Sequence, residues 1–112
     1  MSRTNNELLK EALLHLTTAQ AYSARDLSDE AILDAIALRL AAMIDSLNRL
    51  PASTLDDYFG ATWGLMRGMR NRIVHGYMTV NASIIRVTVS EELPEIERAL
   101  NRALADSDHG SA

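Results

Sequence analysis

Apolar residues recur at steps of three and four along most of this chain, the spacing of one face of an α-helix. Leu9, Leu13, Leu16 and Gln20, flanked by Leu8, Ala12 and His15, form a stripe that runs to about Ala21. Ahead of it, Thr4-Asn5-Asn6-Glu7 is a capping box, with the Thr4 hydroxyl placed to accept from the N3 amide and Glu7 to reach back. Ser28, followed by Asp29 and Glu30, is expected to cap a second helix. Its stripe is Leu33, Ile36, Ala37, Leu40, Met43, Ile44 and Leu47, and Pro51 ends it. The short link from Ser23 to Leu27 favours antiparallel neighbours. Ser53, with Asp56 three residues on, reads as another cap. Leu55, Phe59, Thr62, Met66, Met69 and Ile73 then lie along one long third helix.

Gly60, Gly64 and Gly68 make a separate ridge on that helix, each costing on the order of 1 kcal/mol relative to alanine. The ridge predicts either a tight helix crossing or a subunit contact; a frayed helix start is the alternative. Gly76 fits the left-handed position that closes a helix, which puts His75 in the last turn. Ile84-Ile85-Arg86-Val87-Thr88-Val89 has strand propensity, but no second strand exists to pair with it, so helix is the preferred reading. Leu93, Ile96, Leu100 and Ala103 give a last stripe, with Pro94 either in a first turn opened by Ser90 or kinking a continuous helix. The whole predicts an all-α fold, an antiparallel bundle of four to five helices.

At 112 residues, with 47% hydrophobic and 23% charged residues, the chain has the composition of a single globular domain over residues 1–112. The tail, 106–112, is expected to be disordered. Cysteine is absent and the three histidines lack metal-ligand spacing, so neither a metal nor another cofactor is expected. No apolar run approaches a bilayer-spanning length and the first residues lack a signal-like core, so the expected location is the cytoplasm, without membrane association. The net charge of -4 conceals an uneven distribution. No acid lies between Asp57 and Glu91, a window that carries Arg67, Arg70, Arg72 and Arg86, so one face is locally basic or the arginines are simply solvated.

Arg70-Asn71-Arg72-Ile73-Val74-His75-Gly76-Tyr77 concentrates the candidate chemistry. On a helix Arg67, Asn71 and His75 share one four-residue row, so the Asn71 amide can hold the His75 ring in one tautomer. Arg70 is about 100° round from Asn71. Cleaving a phosphodiester without metal requires a proton acceptor for the 2′-hydroxyl, a proton donor for the leaving oxygen, and positive charge for the transition state. Histidine and arginine supply these roles, and a symmetric dimer would bring two copies of His75 and Arg70 together. Spacing alone equally allows His75 and Tyr77 to pack at the bundle end with Arg70 and Arg72 solvated.

The octapeptide as a whole resembles the R-N-x-x-V-H-x-Y signature of the HepT-like branch of the HEPN superfamily, matched here by Arg70, Asn71, Val74, His75 and Tyr77. Trp63-Gly64-Leu65-Met66-Arg67-Gly68-Met69 resembles the family's W-x-x-I-x-G-M lead-in, and Val89-Ser90-Glu91-Glu92-Leu93-Pro94-Glu95 its V-T-E-D-L-P-E. The similarity covers about residues 30 to 104. It implies a homodimeric, HEPN-like, metal-independent endoribonuclease, the toxin of a type VII-like toxin–antitoxin pair whose antitoxin is a minimal nucleotidyltransferase. Arg70 and His75 would be catalytic, Asn71 would orient or assist, and Arg67 or Arg72 would grip flanking RNA phosphates. Tyr77 would be the residue that the antitoxin modifies with AMP. Two departures stand out: Asn81 replaces the family's aspartate, and Ile44-Asp45 replaces its G-E pair. The second shortens the reach of the acid and leaves Asp45 as a weaker site candidate. The alternative function is a non-catalytic helical subunit that binds nucleotide or RNA, or regulates the nucleotidyltransferase. His15, Tyr58, Phe59, Trp63 and Met66 are read as packing residues rather than readers of bases.

Overall fold

Thr4 opens the first helix as its pattern predicts. Its hydroxyl accepts from the Glu7 amide at 3.1 Å, and the Glu7 carboxylate accepts from the Thr4 amide at 3.4 Å. The computed structural model describes residues 3–75 and 82–108. Helix α1 spans Asn5–Ser23, α2 Glu30–Leu47, α3 Ala52–Tyr58, α4 Thr62–His75, α5 Ala82–Val87 and α6 Leu93–Asp108. A π-helical stretch, Thr88–Glu92, joins α5 to α6 without a break. The described residues include no strand, so the all-α expectation holds.

Helix α1 packs most extensively on α2 and then on α6, while α4 leans chiefly on α2. The predicted α2 stripe is buried throughout, from Leu33 to Leu47, and meets Leu9, Ala12 and Leu16 of α1 and Ile96, Leu100 and Ala103 of α6 in one core. A polar seam runs beside it. Ser46 donates to Glu11 at 3.1 Å, and Arg3 pairs with the same carboxylate. The Arg3 hydrogen bond, with a smaller contribution from Ser46, holds Glu11 below the usual carboxylate range despite some desolvation.

Several local expectations are corrected. The N-cap of α2 is Asp29, which accepts from the Ala31 amide at 2.9 Å, because Ser28 is occupied: its hydroxyl and amide both bond to Asp26. Helix α3 starts one residue after Pro51, which stands at the cap in place of Ser53 with no side-chain cap bond. The single long third helix is two helices. Gly60 adopts a φ of +53° and its amide bonds to the Leu55 and Asp56 carbonyls, the left-handed ending that stops a helix. The glycine ridge therefore does not exist as one row, since only Gly64 and Gly68 lie on α4, and neither touches another helix backbone. A Cβ at Gly60 would come no closer than 3.8 Å to any atom, so Gly60→Ala carries backbone strain alone. Its expected cost of about 1–2 kcal/mol is to be read from the urea midpoint at unchanged m-value.

The segment 84–89, β-branched by composition, is helical because Ile85 and Thr88 are buried against the bundle. Pro94 is met by a widened turn. It has no N–H for the Ser90 carbonyl and its ring would collide there in an α-turn. Just ahead of it, the Leu93 amide reaches back five residues to Thr88. The tail is helical through Asp108, three residues into the stretch expected to be disordered. Asn6 donates to Ser107 and Asp108 there, and Tyr58 donates to Asp106. Gly76, Asn81 and the rest of that tail lie outside the described residues.

Candidate functional site

Helix α4 carries the motif on its C-terminal half and ends at His75, as the sequence predicts. Five residues separate Arg70 from His75, about 7.5 Å along the axis. Asn71 is exposed and stands one helical row before His75. Tyr77 lies outside the described residues, as does the environment of the His75 ring.

The neighbouring helix supplies the acid. Asp45, near the end of α2, accepts from Arg70 Nε at 2.9 Å, so the shortened side chain does reach the motif. The two side chains are 33% and 53% exposed, for Arg70 and Asp45 respectively, and a pair so open to water contributes about 0–1 kcal/mol to stability. What it fixes is orientation. The guanidinium is held through Nε alone, and its two terminal nitrogens make no hydrogen bond among the described residues. A planar fork held in this way presents two parallel donors to a phosphate.

Asp45 and Arg70 stand on the wall of a groove of ≈ 610 Å³ between α2 and α4. Ile44 and Asn48 of α2 complete one side, and Gly64, Arg67, Gly68 and Asn71 of α4 the other. Of the predicted site residues, Arg67, Arg70, Asn71 and Asp45 are thus brought together. Arg72 is not: it is exposed, with its Nη1 folded back over Gly68. Asn48 was missed by sequence reasoning, although its place three residues after Asp45 puts it on the same exposed face of α2. A Cβ at Gly64 would meet nothing within 4 Å. Gly64→Ala is therefore expected to raise stability by about 0.5–1 kcal/mol, seen as a higher thermal midpoint; a lower one would reveal a contact that the isolated chain lacks.

The other aromatic and histidine candidates are packing residues. Phe59 and Met66 are buried, and Trp63 leans on Phe59 with ring centroids 6.4 Å apart. Arg102 lies over the Tyr58 ring at 5.8 Å and donates to its carbonyl. His15 is half-buried between α1 and α2, with Nδ1 3.2 Å from Arg39 Nη1. Since arginine only donates, Nδ1 is the acceptor and Nε2 carries the proton. Burial, and then the Arg39 charge, hold this imidazole below its usual pKa. Among the described residues no three of His, Cys, Asp and Glu converge as metal ligands would, and no helix is long and apolar enough to cross a membrane.

The described residues thus form an all-helical domain in which two arginines and two asparagines line one groove beside the motif helix. The sequence profile of the HepT-like ribonucleases matches residues 7–103, and the chain belongs to that family. It is also similar to a protein of Caldanaerobacter subterraneus subsp. tengcongensis named a putative RNase, with 26% identity over 98 residues that cover 87% of this chain and 88% of the relative. No solved structure matches.

Proposed function

We propose that this protein is a metal-independent endoribonuclease that works as a homodimer and serves as the toxin of a pair whose antitoxin is a nucleotidyltransferase. The observation that carries the reading is Arg70, held through Nε by Asp45 on the wall of the groove, five positions ahead of the His75 that ends α4. In the proposed mechanism His75 removes the proton from a 2′-hydroxyl, which attacks the adjacent phosphorus. The 5′-oxygen leaves with a proton from the second copy of His75, and Arg70 bears the charge that builds on the phosphoryl oxygens. Asn71 orients His75, and Arg67, which lines the groove, holds a flanking phosphate, a contact that positions the strand without reading it.

The dimer is supported by apolar side chains left in water on the two helices that frame the groove: Leu38 of α2 is 70% exposed and Leu65 of α4 is 71% exposed. Tyr77, two residues beyond His75, is the proposed AMPylation site. The adduct would set negative charge and bulk where the RNA phosphate must sit.

The test is end-labelled RNA in excess chelator with the native chain and Arg70→Ala. Cleavage by the native chain and a loss of about 100-fold or more in the variant is the expected result. Equal cleavage by both would remove Arg70 from the site. Silence from a native chain shown by mass spectrometry to carry an unmodified Tyr77 would favour a non-catalytic subunit that binds RNA or the nucleotidyltransferase.

A further inference from the structure

The groove between α2 and α4 holds polar groups that the cleavage reading does not use. Asn48, the residue that closes α2, donates its backbone amide to the Ile44 carbonyl, so the backbone fixes its position, and the residue lines the groove. Among the described residues the side chains of Asn48, Asn71 and Arg67 make no hydrogen bond. The floor is bare, since Gly64 has open space where a Cβ would be. The volume, ≈ 610 Å³, falls in the range that encloses small ligands. Two arginines face it against one acid, and that acid is already paired with Arg70.

We propose that this groove is a nucleotide subsite in which Asn48 reads the base of the single-stranded RNA residue next to the scissile phosphate. The proposal rests on the ribonuclease reading for the identity of the ligand. Arg67 and Arg70 take the phosphates on either side of that residue, and the glycine floor lets the base lie close to α4. Unstacked bases are recognised by hydrogen bonds to their edges. A carboxamide carries a donor beside an acceptor and pairs with adenine through N6–H and N7, so adenine is the expected base. A second copy of the chain is the competing occupant. It fits less well, because the lining is polar and the exposed Leu38 and Leu65 both lie outside it.

Four single-stranded oligonucleotides, of A, C, G and U, bearing 2′-fluoro groups and therefore uncleavable by 2′-hydroxyl attack, test this with the isotope-labelled native protein. The Asn48 side-chain amide and the Gly64 and Gly68 backbone amides are expected to shift on titration. The adenine strand should bind on the order of tenfold more tightly than the others. Asn48→Ala, checked for an unchanged melting temperature, levels the four affinities, while Arg67→Ala weakens all four alike. A base preference that survives in Asn48→Ala overturns the subsite, and so does a native protein with no preference. Binding of all four strands that is lost as the protein is concentrated into its dimer would assign the groove to a second copy and overturn it too. Preferential binding lost in Asn48→Ala, but with no cleavage of natural RNA, would sustain the subsite and remove the nuclease reading.

Discussion

His75→Ala is expected to lower RNA cleavage by on the order of 10²- to 10⁴-fold, the usual contribution of a positioned acid or base, with helicity and dimerisation unchanged. The residue ends α4, and in the proposed reaction its imidazole is the proton acceptor. A mixing experiment makes the expectation sharper. If each reaction needs one imidazole to take a proton and a second, from the other copy, to give one, a dimer with one altered subunit is as inactive as one with two. Equal amounts of native and variant chain, re-equilibrated, then keep about one quarter of the native activity, because only that fraction of dimers has both copies intact. Half of the native activity would mean that each subunit cuts alone. An unfolded variant would mean that His75 serves the fold, the reading that spacing alone leaves open.

Leu40→Ala has the largest expected effect on stability. Leu40 has no exposed surface and sits midway along α2, the helix that packs on α1, α4 and α5. Removing its isobutyl group leaves a void in the shared core, and substitutions of this kind cost about 2–5 kcal/mol. A domain of this size holds only about 5–15 kcal/mol in total, so much of the reserve goes. Chemical denaturation should show the midpoint falling sharply at constant m-value. Leu38→Ala, two residues earlier on the exposed face, is the control. It should leave the unfolding of the monomer within about 0.5 kcal/mol of native.

The first two helices were legible because their signals are local. The Thr4 box needs only four residues, and the α2 stripe from Leu33 to Leu47 repeats for about four turns. Local signals also explain the errors. Ser28 is a good capping residue, but Asp26 competes for its hydroxyl and the next residue takes the cap. The apolar row from Leu55 to Ile73 continues on both sides of Gly60, so periodicity alone hides a break that one left-handed backbone angle creates. In the candidate site the motif placed Arg67, Arg70 and Asn71 together, because neighbours on a helix are fixed by counting. Asp45 was a weaker candidate because whether a shorter acid spans the gap depends on how closely α2 and α4 approach, which is a tertiary distance. Asn48 carries no motif at all; only the facing helix gives it a context.

The π-helical stretch has a consequence for how this sequence can vary. Ile85 and Thr88 are buried, and the next buried residue is Leu93, five positions on. In regular α-helix Leu93 would be turned about 140° from Thr88, five positions back, and about 80° from Ile85, eight positions back, and the wide turn returns it to the core. One residue in Thr88–Glu92 therefore acts as a phase shifter between two otherwise ordinary halves. Deleting one residue there would leave a four-position step from Thr88 to Leu93, about 40° in regular α-helix, so Leu93, Ile96 and Leu100 would stay on the core side as a set, with Pro94 then meeting an ordinary α-turn. The segment absorbs the loss of one residue better than the gain of one.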